Sequence, residues 1–202
     1  MRVLVTAFEP YGDWSANASH LCLQQLEKAL QDEPLPATLE VITRTYPVEF
    51  SGMRDRLWAD LQQNVDVALL MGQSPGSASV QLETIALNVG HEPQAYHQEP
   101  LVLEPNGPIA YRSALPLCDW AASLRTLNIP ARVSYHAGTY LCNASLYWTL
   151  HYAVLHNSAL QATFLHLPFD LSQTLSTSKD TPTLPSSISA RAVHYLLKQL
   201  TV

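Results

Sequence analysis

The distribution of apolar and polar residues along the chain follows two periods, one typical of buried strands and the other of amphipathic helices. Short apolar and β-branched runs predict strands at 2–7, 39–45, 66–71, 131–135 and 161–167. Apolar residues near helical spacing predict helices at 17–31, 48–63, 115–127, 140–156 and 187–200. Strands that alternate with helices indicate an α/β fold with an open, mostly parallel twisted sheet and helices on both of its faces.

The remaining segments favour a single domain. Residues 90–108 contain four prolines and residues 174–187 are rich in Ser, Thr and Pro, so both segments are predicted to be loops. The sequence has no internal repeat and no linker long enough to separate domains, which predicts one α/β domain over residues 1–202. In an open α/β sheet, ligands bind beyond the carboxyl ends of the strands. The candidate site is therefore expected at that edge.

Composition excludes several classes of protein. The chain has 202 residues, of which 47% are hydrophobic and 14% charged, and this balance is unlike that of a disordered protein. Its net charge of −6 argues against nucleic acid and anionic membrane surfaces as partners. No apolar run approaches the roughly 18 residues of a membrane span. Three widely spaced cysteines, Cys22, Cys118 and Cys142, do not form a disulfide framework, and we expect a cytoplasmic protein.

One candidate nucleophile is a serine. Residues 72–76, Gly-Gln-Ser-Pro-Gly, fit the G-x-S-x-G nucleophile elbow of serine hydrolases, and they follow a predicted strand. The elbow uses the backbone N–H of the residue after the serine, but here that residue is Pro75, which has none. A plain turn or a binding loop is therefore a better interpretation of this segment than a nucleophilic Ser74.

Cys142 is the stronger candidate. If Thr139 caps the helix at 140–156, Cys142 occupies the N3 position, where the positive end of the helix dipole stabilises a thiolate. The alternative is a small buried apolar residue, which is what most unpaired cysteines are. Cys22 and Cys118, which also fall inside predicted helices, are expected to fill the core.

A catalytic thiolate needs a histidine and a group that orients it. His166 ends the last predicted strand, level with the start of the Cys142 helix, although a core histidine is an equally good interpretation. Glu83 is a lone carboxylate in a long uncharged stretch, where it is either paired or solvated at an edge. His91 and His97 could bind a metal, but no further ligands at suitable spacing accompany them. We therefore predict neither a metal nor a cofactor.

Five segments, in this order along the chain, resemble the pyroglutamyl peptidase I family of cysteine peptidases. They are residues 3–12 with Asn17, residues 72–88, residues 107–116, residues 137–143 and residues 164–168. The most specific of them is the cysteine motif Ala-Gly-Thr-Tyr-Leu-Cys-Asn at 137–143.

The resemblance implies an α/β/α sandwich and an exopeptidase that removes N-terminal pyroglutamate from peptides. By this resemblance Cys142 is the nucleophile, His166 the general base and acid, and Glu83 the group that orients the imidazole. The backbone N–H groups of Gln73 and Cys142 would form the oxyanion hole. The implied substrate pocket consists of Phe8, Tyr11, Asn17, Gln73, Tyr140 and Leu141. The resemblance also implies a homotetramer whose substrates are pyroglutamyl peptides.

Several positions depart from the family pattern. Tyr11 stands where the family has phenylalanine, Ser77 and Thr84 stand where arginines are frequent, and residues 89–94 lack the usual active-site arginine. A second hypothesis follows, a pyroglutamate-binding homologue with weak or no catalysis. A serine esterase that uses Ser74 is a third.

Overall fold

The computed structural model describes residues 1–92, 99–175 and 180–201, and its strands and helices follow most of the predicted segments. The strands are β1 Arg2–Phe8, β2 Glu40–Tyr46, β3 Val67–Gln73, β4 Val80–Glu83, β5 Ile85–Leu87, β6 Ala110–Arg112, β7 Ala131–Ser134 and β8 Gln161–Leu167. The helices are α1 Ala18–Asp32, α2 Met53–Leu61, α3 Leu117–Thr126, α4 Leu141–Leu155 and α5 Ser186–Gln199.

Within the described residues, six strands form the central sheet, in the order β2-β1-β3-β8-β4-β7. β1, β2, β3 and β8 run parallel to one another, whereas β4 is antiparallel to β8 and β7 is parallel to β4. The mostly parallel sheet predicted from the sequence is thus confirmed, but its two strands at one edge run in the opposite direction. β5 and β6 form a separate antiparallel pair.

The sheet is buried on both faces, because helices cover each of them. Alternate residues of β3 belong to different cores: Leu69 and Met71 pack in the core that contains α1, α3 and α5, and Leu70 packs in the core that contains α2 and α4. The result is the predicted α/β/α sandwich. Both faces of β3 are apolar, which explains why it appears in the sequence as a continuous apolar run.

Three sequence-based predictions need correction. The helix predicted at 48–63 begins only at Met53, after Gly52 in the left-handed conformation (φ 71°), and residues 48–51 belong to the preceding loop. Cys118 is exposed and does not fill the core, whereas Cys22 is fully buried as expected. The loop predicted at 174–187 gives way at Ser186 to α5.

Candidate active site

His166 and Glu83 lie on neighbouring strands and are joined by a hydrogen bond. Glu83 ends β4, His166 is near the end of β8, and the distance from His166 Nδ1 to Glu83 Oε1 is 2.7 Å. Glu83 is completely buried, and its second carboxylate oxygen has no partner among the described residues. The imidazole also lies close enough to the Cys142 sulfur for the two groups to interact electrostatically. Because Glu83 engages Nδ1, the other ring nitrogen serves the thiol.

Cys142 lies in the first turn of α4, although not at the position that the sequence predicted. Tyr140, rather than Thr139, is the N-cap, because its extended backbone (φ −94°, ψ −158°) delays the helix by one residue. Cys142 is therefore the second residue of the helix. A backbone N–H in the first turn has no partner within the helix, so the N–H of Cys142 can bind an oxyanion.

Asn143 holds the start of α4 against the segment that follows Glu83. Its Oδ1 accepts a hydrogen bond from the Leu87 N–H at 2.8 Å, and its Nδ2 donates to the carbonyls of Leu87 and Val89 at 2.9 and 2.8 Å. The side chain is fully buried, so these bonds are sheltered from water. Asn143 thereby links the position of Cys142 to that of Glu83.

Gly72 lies directly beneath the thiol. A Cβ atom at this position would be 3.1 Å from Cys142 Sγ and 2.6 Å from Cζ of Phe164. Gly72 also pairs with His166 across β3 and β8. Only glycine leaves room here for the sulfur and the phenyl ring, so Gly72 sets the height of Cys142 above the sheet.

We expect Gly72→Ala to lower kcat about ten- to a hundredfold, because the added methyl group displaces Cys142 Sγ or Phe164 from its present position. Steady-state hydrolysis of a pyroglutamyl amide measures this loss, and thermal unfolding shows whether the variant still folds. A folded variant with the wild-type kcat would contradict the close contact at Gly72.

The ionisation of His166 is set by two opposing effects. Burial by itself lowers the pKa of the imidazole, but the neighbouring Cys142 thiolate and Glu83 carboxylate favour its charged form more strongly and raise the pKa to about 10. At neutral pH the geometry therefore favours the imidazolium form of His166. This state holds an acidic proton next to the sulfur before any substrate is bound.

A narrow pocket opens on one side of Cys142 and contains all six of the residues predicted to bind substrate. Val48, which was predicted to begin a helix and is not among the predicted substrate-binding residues, also lines this pocket. Val48 could have been found from the sequence, because it is an apolar residue directly after Pro47 and the end of a predicted strand. Tyr140 contacts Phe50 edge-on at a ring distance of 5.3 Å and donates a hydrogen bond to the Val48 carbonyl at 3.4 Å. The pocket walls are mostly aromatic and aliphatic.

Gln73 supplies a polar group to this apolar pocket. Its Oε1 accepts hydrogen bonds from the N–H of Ala18 at 3.0 Å and from Nε2 of Gln173 at 2.6 Å, which fixes the orientation of the amide. Its Nε2 is buried beside the Tyr11 hydroxyl without a well-aligned bond to any described residue. A buried donor without a partner is costly, so it is available to a carbonyl of a ligand.

Asn17 supports the pocket from the start of α1. Its Oδ1 accepts hydrogen bonds from the N–H and the hydroxyl of Ser19, at 3.0 and 2.8 Å, and its Nδ2 donates to the Glu9 carbonyl at 3.1 Å. The Ser19 hydroxyl in turn accepts the N–H of Phe8 at 3.0 Å. Asn17 therefore caps the helix and holds the chain around Phe8 in place.

A larger and more polar cavity, of about 510 Å³, lies on the other side of Cys142. On the side of this cavity that is remote from the narrow pocket, the lining residues include Ser74, Gln81, His91, His136 and His166. Gln81 and His136 are not among the site residues predicted from the sequence. Gln81 could have been found, because it lies two residues before Glu83 and the run Val-Gln-Leu-Glu alternates as a half-buried strand does.

The nucleophile-elbow alternative from the sequence is not supported. After Ser74 the chain enters a turn with Gly76 at φ 83° and then β4, so the helix that a nucleophile elbow needs is absent there. In the part of the chain that the structure describes, no group of three or more His, Cys, Asp and Glu side chains could hold a metal. His97, and residues 93–94 of the loop without arginine, lie outside the described residues.

No helix within the described ranges is both long enough and apolar enough to cross a membrane.

Comparison with known proteins identifies the same family from the whole chain. A family model described as Pyroglutamyl peptidase matches residues 1–199. The pyrrolidone-carboxylate peptidase of Thermococcus onnurineus is 32% identical, and the match covers 98% of each chain. That of Chromobacterium violaceum is 36% identical over 83% of this chain and 77% of its own. The crystal structure of pyrrolidone carboxyl peptidase from Fervidobacterium islandicum AW-1 matches with a TM-score of 0.88 and 30% identity, covering 100% of this chain and 98% of that one.

Proposed function

Given that the chain belongs to the pyroglutamyl peptidase family, we propose that it is a cysteine exopeptidase that removes N-terminal pyroglutamate from peptides. The observation that carries the proposal is the row of Cys142, His166 and Glu83, in which the imidazole lies beside the thiol and hydrogen-bonds with the carboxylate. A narrow pocket next to this row offers the free amide donor of Gln73. This is the arrangement of nucleophile, base and orienting group that acyl transfer requires.

In the first half of the reaction, the thiolate of Cys142 attacks the carbonyl carbon that joins pyroglutamate to the next residue. A C–S bond forms, and the carbonyl oxygen becomes an oxyanion that accepts hydrogen bonds from the N–H groups of Cys142 and Gln73. The C–N bond then breaks, and the His166 imidazolium transfers its proton to the leaving nitrogen. The products are a thioester and a peptide with a free amino group.

In the second half, the neutral imidazole of His166 takes a proton from water while the water oxygen attacks the thioester carbonyl. The C–S bond breaks, pyroglutamate leaves as the acid, and the thiolate–imidazolium pair is restored. Glu83 keeps the ring in one tautomer and stabilises its charge throughout. Because Glu83 is completely buried, water competes little for its carboxylate.

The narrow pocket suits a flat, neutral lactam. Phe8, Tyr11 and Leu141 supply apolar surface, and the buried Nε2 of Gln73 is positioned to donate to the lactam carbonyl. None of the described residues that line this pocket carries a carboxylate that could pair with an N-terminal ammonium. The pocket chemistry therefore favours pyroglutamate over an open-chain N-terminal residue.

The test is hydrolysis of the pyroglutamyl amide of a fluorescent amine before and after alkylation of thiols. We expect the protein to hydrolyse this amide, and we expect alkylation to abolish the hydrolysis. A protein that binds pyroglutamyl peptides in calorimetry but releases no amine would instead be the binding homologue, and the family match and the assembled Cys142–His166–Glu83 row argue against it.

The raised pKa of His166 predicts an unusual alkaline limit of activity. The leaving amine needs the imidazolium as its acid, so kcat/KM should persist well above the ordinary histidine pKa of 6.5 and fall as pH rises towards about 10. Because the pKa is higher in the folded protein, the same interaction stabilises the fold fully below about 6.5 and is lost as pH rises through the folded value.

The pH dependence of kcat/KM measures this limit, and Glu83→Gln is the matched control. Removing the carboxylate takes away one of the groups that favour the imidazolium, so the alkaline limb of this variant should move to lower pH. An alkaline limb close to 6.5 in the wild type, or one that Glu83→Gln leaves in place, would be inconsistent with the proposed ionisation.

The family resemblance also supports a homotetramer in the cytoplasm. Cys22, Cys118 and Cys142 are all free, which is compatible with a reducing compartment. Light scattering of the purified protein measures the mass of the assembly, and a monomer at micromolar concentration would contradict the tetramer.

A further inference from the structure

We propose that Arg132 and Gln81 form a subsite for the first residue of the leaving peptide, and that this subsite favours a leaving residue that carries a carboxylate. The inference rests on the proposed peptidase function and adds a preference for the part of the substrate beyond the scissile bond.

A row of paired residues crosses four neighbouring strands at the site. Gly72 of β3 pairs with His166 of β8, His166 pairs with Gln81 of β4, and Gln81 pairs with Arg132 of β7. Paired residues on adjacent strands direct their side chains to the same face of the sheet, and the strands are about 4.8 Å apart. Because Cys142 Sγ lies over Gly72, the row leads from the nucleophile, through the proton donor, to Gln81 and Arg132.

The two pockets divide the substrate between them. The narrow pocket includes Cys142 but not His166 or Gln81, whereas the larger cavity includes all three. With pyroglutamate in the narrow pocket, the leaving nitrogen must lie next to His166 to receive its proton. The residue that carries this nitrogen therefore enters the larger cavity, on the side where Gln81 lies.

Gln81 lines this cavity, whereas Arg132 is exposed, does not line the cavity itself and contacts Gln81 from the neighbouring strand. Its Nε2 donates to the Ser77 hydroxyl at 2.9 Å, and its Oε1 accepts a hydrogen bond from Nη2 of Arg132 at 2.9 Å. The glutamine is buried, and these two bonds fix its orientation. Among the described residues no carboxylate forms an ion pair with Arg132, so its charge is left to act on a ligand.

Two carboxylates near the cavity oppose this preference, and a histidine donor supports it. Glu83 is buried against His166, and Glu92 acts on Tyr140, whose pKa is raised first by burial and then by that carboxylate. His136 accepts the Gly138 N–H on its Nδ1 at 2.9 Å, which leaves its Nε2 as an N–H donor at the same cavity. An arginine keeps its charge at every relevant pH, so the subsite is cationic without any titration.

The experiment compares pyroglutamyl dipeptides that differ only in the leaving residue. The amidated substrates pyroglutamyl-glutamate amide, pyroglutamyl-glutamine amide and pyroglutamyl-lysine amide vary the charge of the side chain. Pyroglutamyl-glutamine with a free C-terminus separates a main-chain carboxylate from a side-chain one. We expect kcat/KM to be about three- to tenfold higher for at least one of the carboxylate-bearing substrates than for the glutamine amide, and higher still relative to the lysine amide.

Variants of Arg132 connect the preference to this residue. Arg132→Gln should reduce the ratio of acidic to neutral substrates towards one, Arg132→Lys should retain part of it, and Arg132→Glu should reverse it in favour of lysine. Arg125→Gln is the matched control, because Arg125 also lacks an ion pair among the described residues, but its side chain binds the Ala131 carbonyl and not Gln81. It should keep the wild-type ratio. High salt should weaken the preference in the wild type.

The outcomes distinguish a failure of the proposed subsite from a failure of the proposed peptidase function. Wild-type protein that cleaves all of these substrates at rates within twofold of one another, or a preference that survives unchanged in a folded Arg132→Gln variant, overturns the subsite while leaving the peptidase function intact. Protein that cleaves no pyroglutamyl substrate overturns both.

Discussion

Cys142→Ser is expected to lower kcat/KM for a pyroglutamyl amide by roughly several hundredfold or more, because an alcohol keeps its proton where a thiol beside an imidazole gives it up. Without the thiolate, the charged pair with His166 cannot form before substrate binds, and the nucleophile is lost. The variant should still fold, since serine is close to cysteine in size and the helix start is held by Asn143 rather than by the sulfur.

Alkylation provides an independent measurement of the same prediction. A stoichiometric thiol reagent should inactivate the enzyme in proportion to adduct formation on Cys142, as found by peptide mapping. Cys118 is exposed and can also react, so Cys118→Ser is the control and should be inactivated at the wild-type rate. Burial raises the pKa of the Cys22 thiol and keeps it unreactive. Inactivation that accompanies an adduct on Cys118 alone would refute the assignment of Cys142.

The second large effect is expected on the substrate side, as a strict requirement for the closed lactam. The glutaminyl amide of the same fluorescent amine should be cleaved at least about a hundredfold more slowly than the pyroglutamyl amide. Its ammonium would lose water against Phe8 and Tyr11 without an anionic partner, at a cost of several kcal/mol. It would also leave the Gln73 Nε2 donor without the lactam carbonyl.

Parallel assays with pyroglutamyl, glutaminyl and prolyl amides measure this discrimination. The prolyl amide has a ring of the same size but carries a charged amine and no lactam carbonyl, so it separates ring shape from polarity. Both control substrates should be poor. Turnover of the glutaminyl amide within tenfold of the pyroglutamyl amide would rule out the proposed pocket.

Much of the fold is encoded in short stretches of sequence. β8 was predicted at 161–167 and is observed as Gln161–Leu167, and β1 and β3 differ from their predicted bounds by at most two residues. These strands are buried on both faces, so each appears as a continuous apolar run that needs no information from elsewhere in the chain. β4 was missed because it is short and only half apolar.

The direction of the strands could not be predicted in this way. The site was expected where the carboxyl ends of parallel strands meet, but β7, the strand before the cysteine motif, runs opposite to β3 and β8. Residues 135–140 instead return to the end of β3, where the His91 N–H donates to the Thr139 carbonyl at 2.7 Å. Cys142 thus reaches the expected edge of the sheet by a different path.

The candidate site residues could be found from the sequence alone. Cys142 lies at a predicted helix start, His166 at a predicted strand end, and Glu83 is a lone carboxylate in an uncharged stretch. Which of them meet was decided by the sheet, where antiparallel pairing of β4 with β8 joins residues that are 83 positions apart. The same pairing sets Gln81 beside His166, and the parallel pairing of β4 with β7 sets Arg132 beside Gln81. Periodicity reports which face of a strand is buried, whereas pairing depends on how all the apolar faces are covered at once, and only the tertiary structure contains that information.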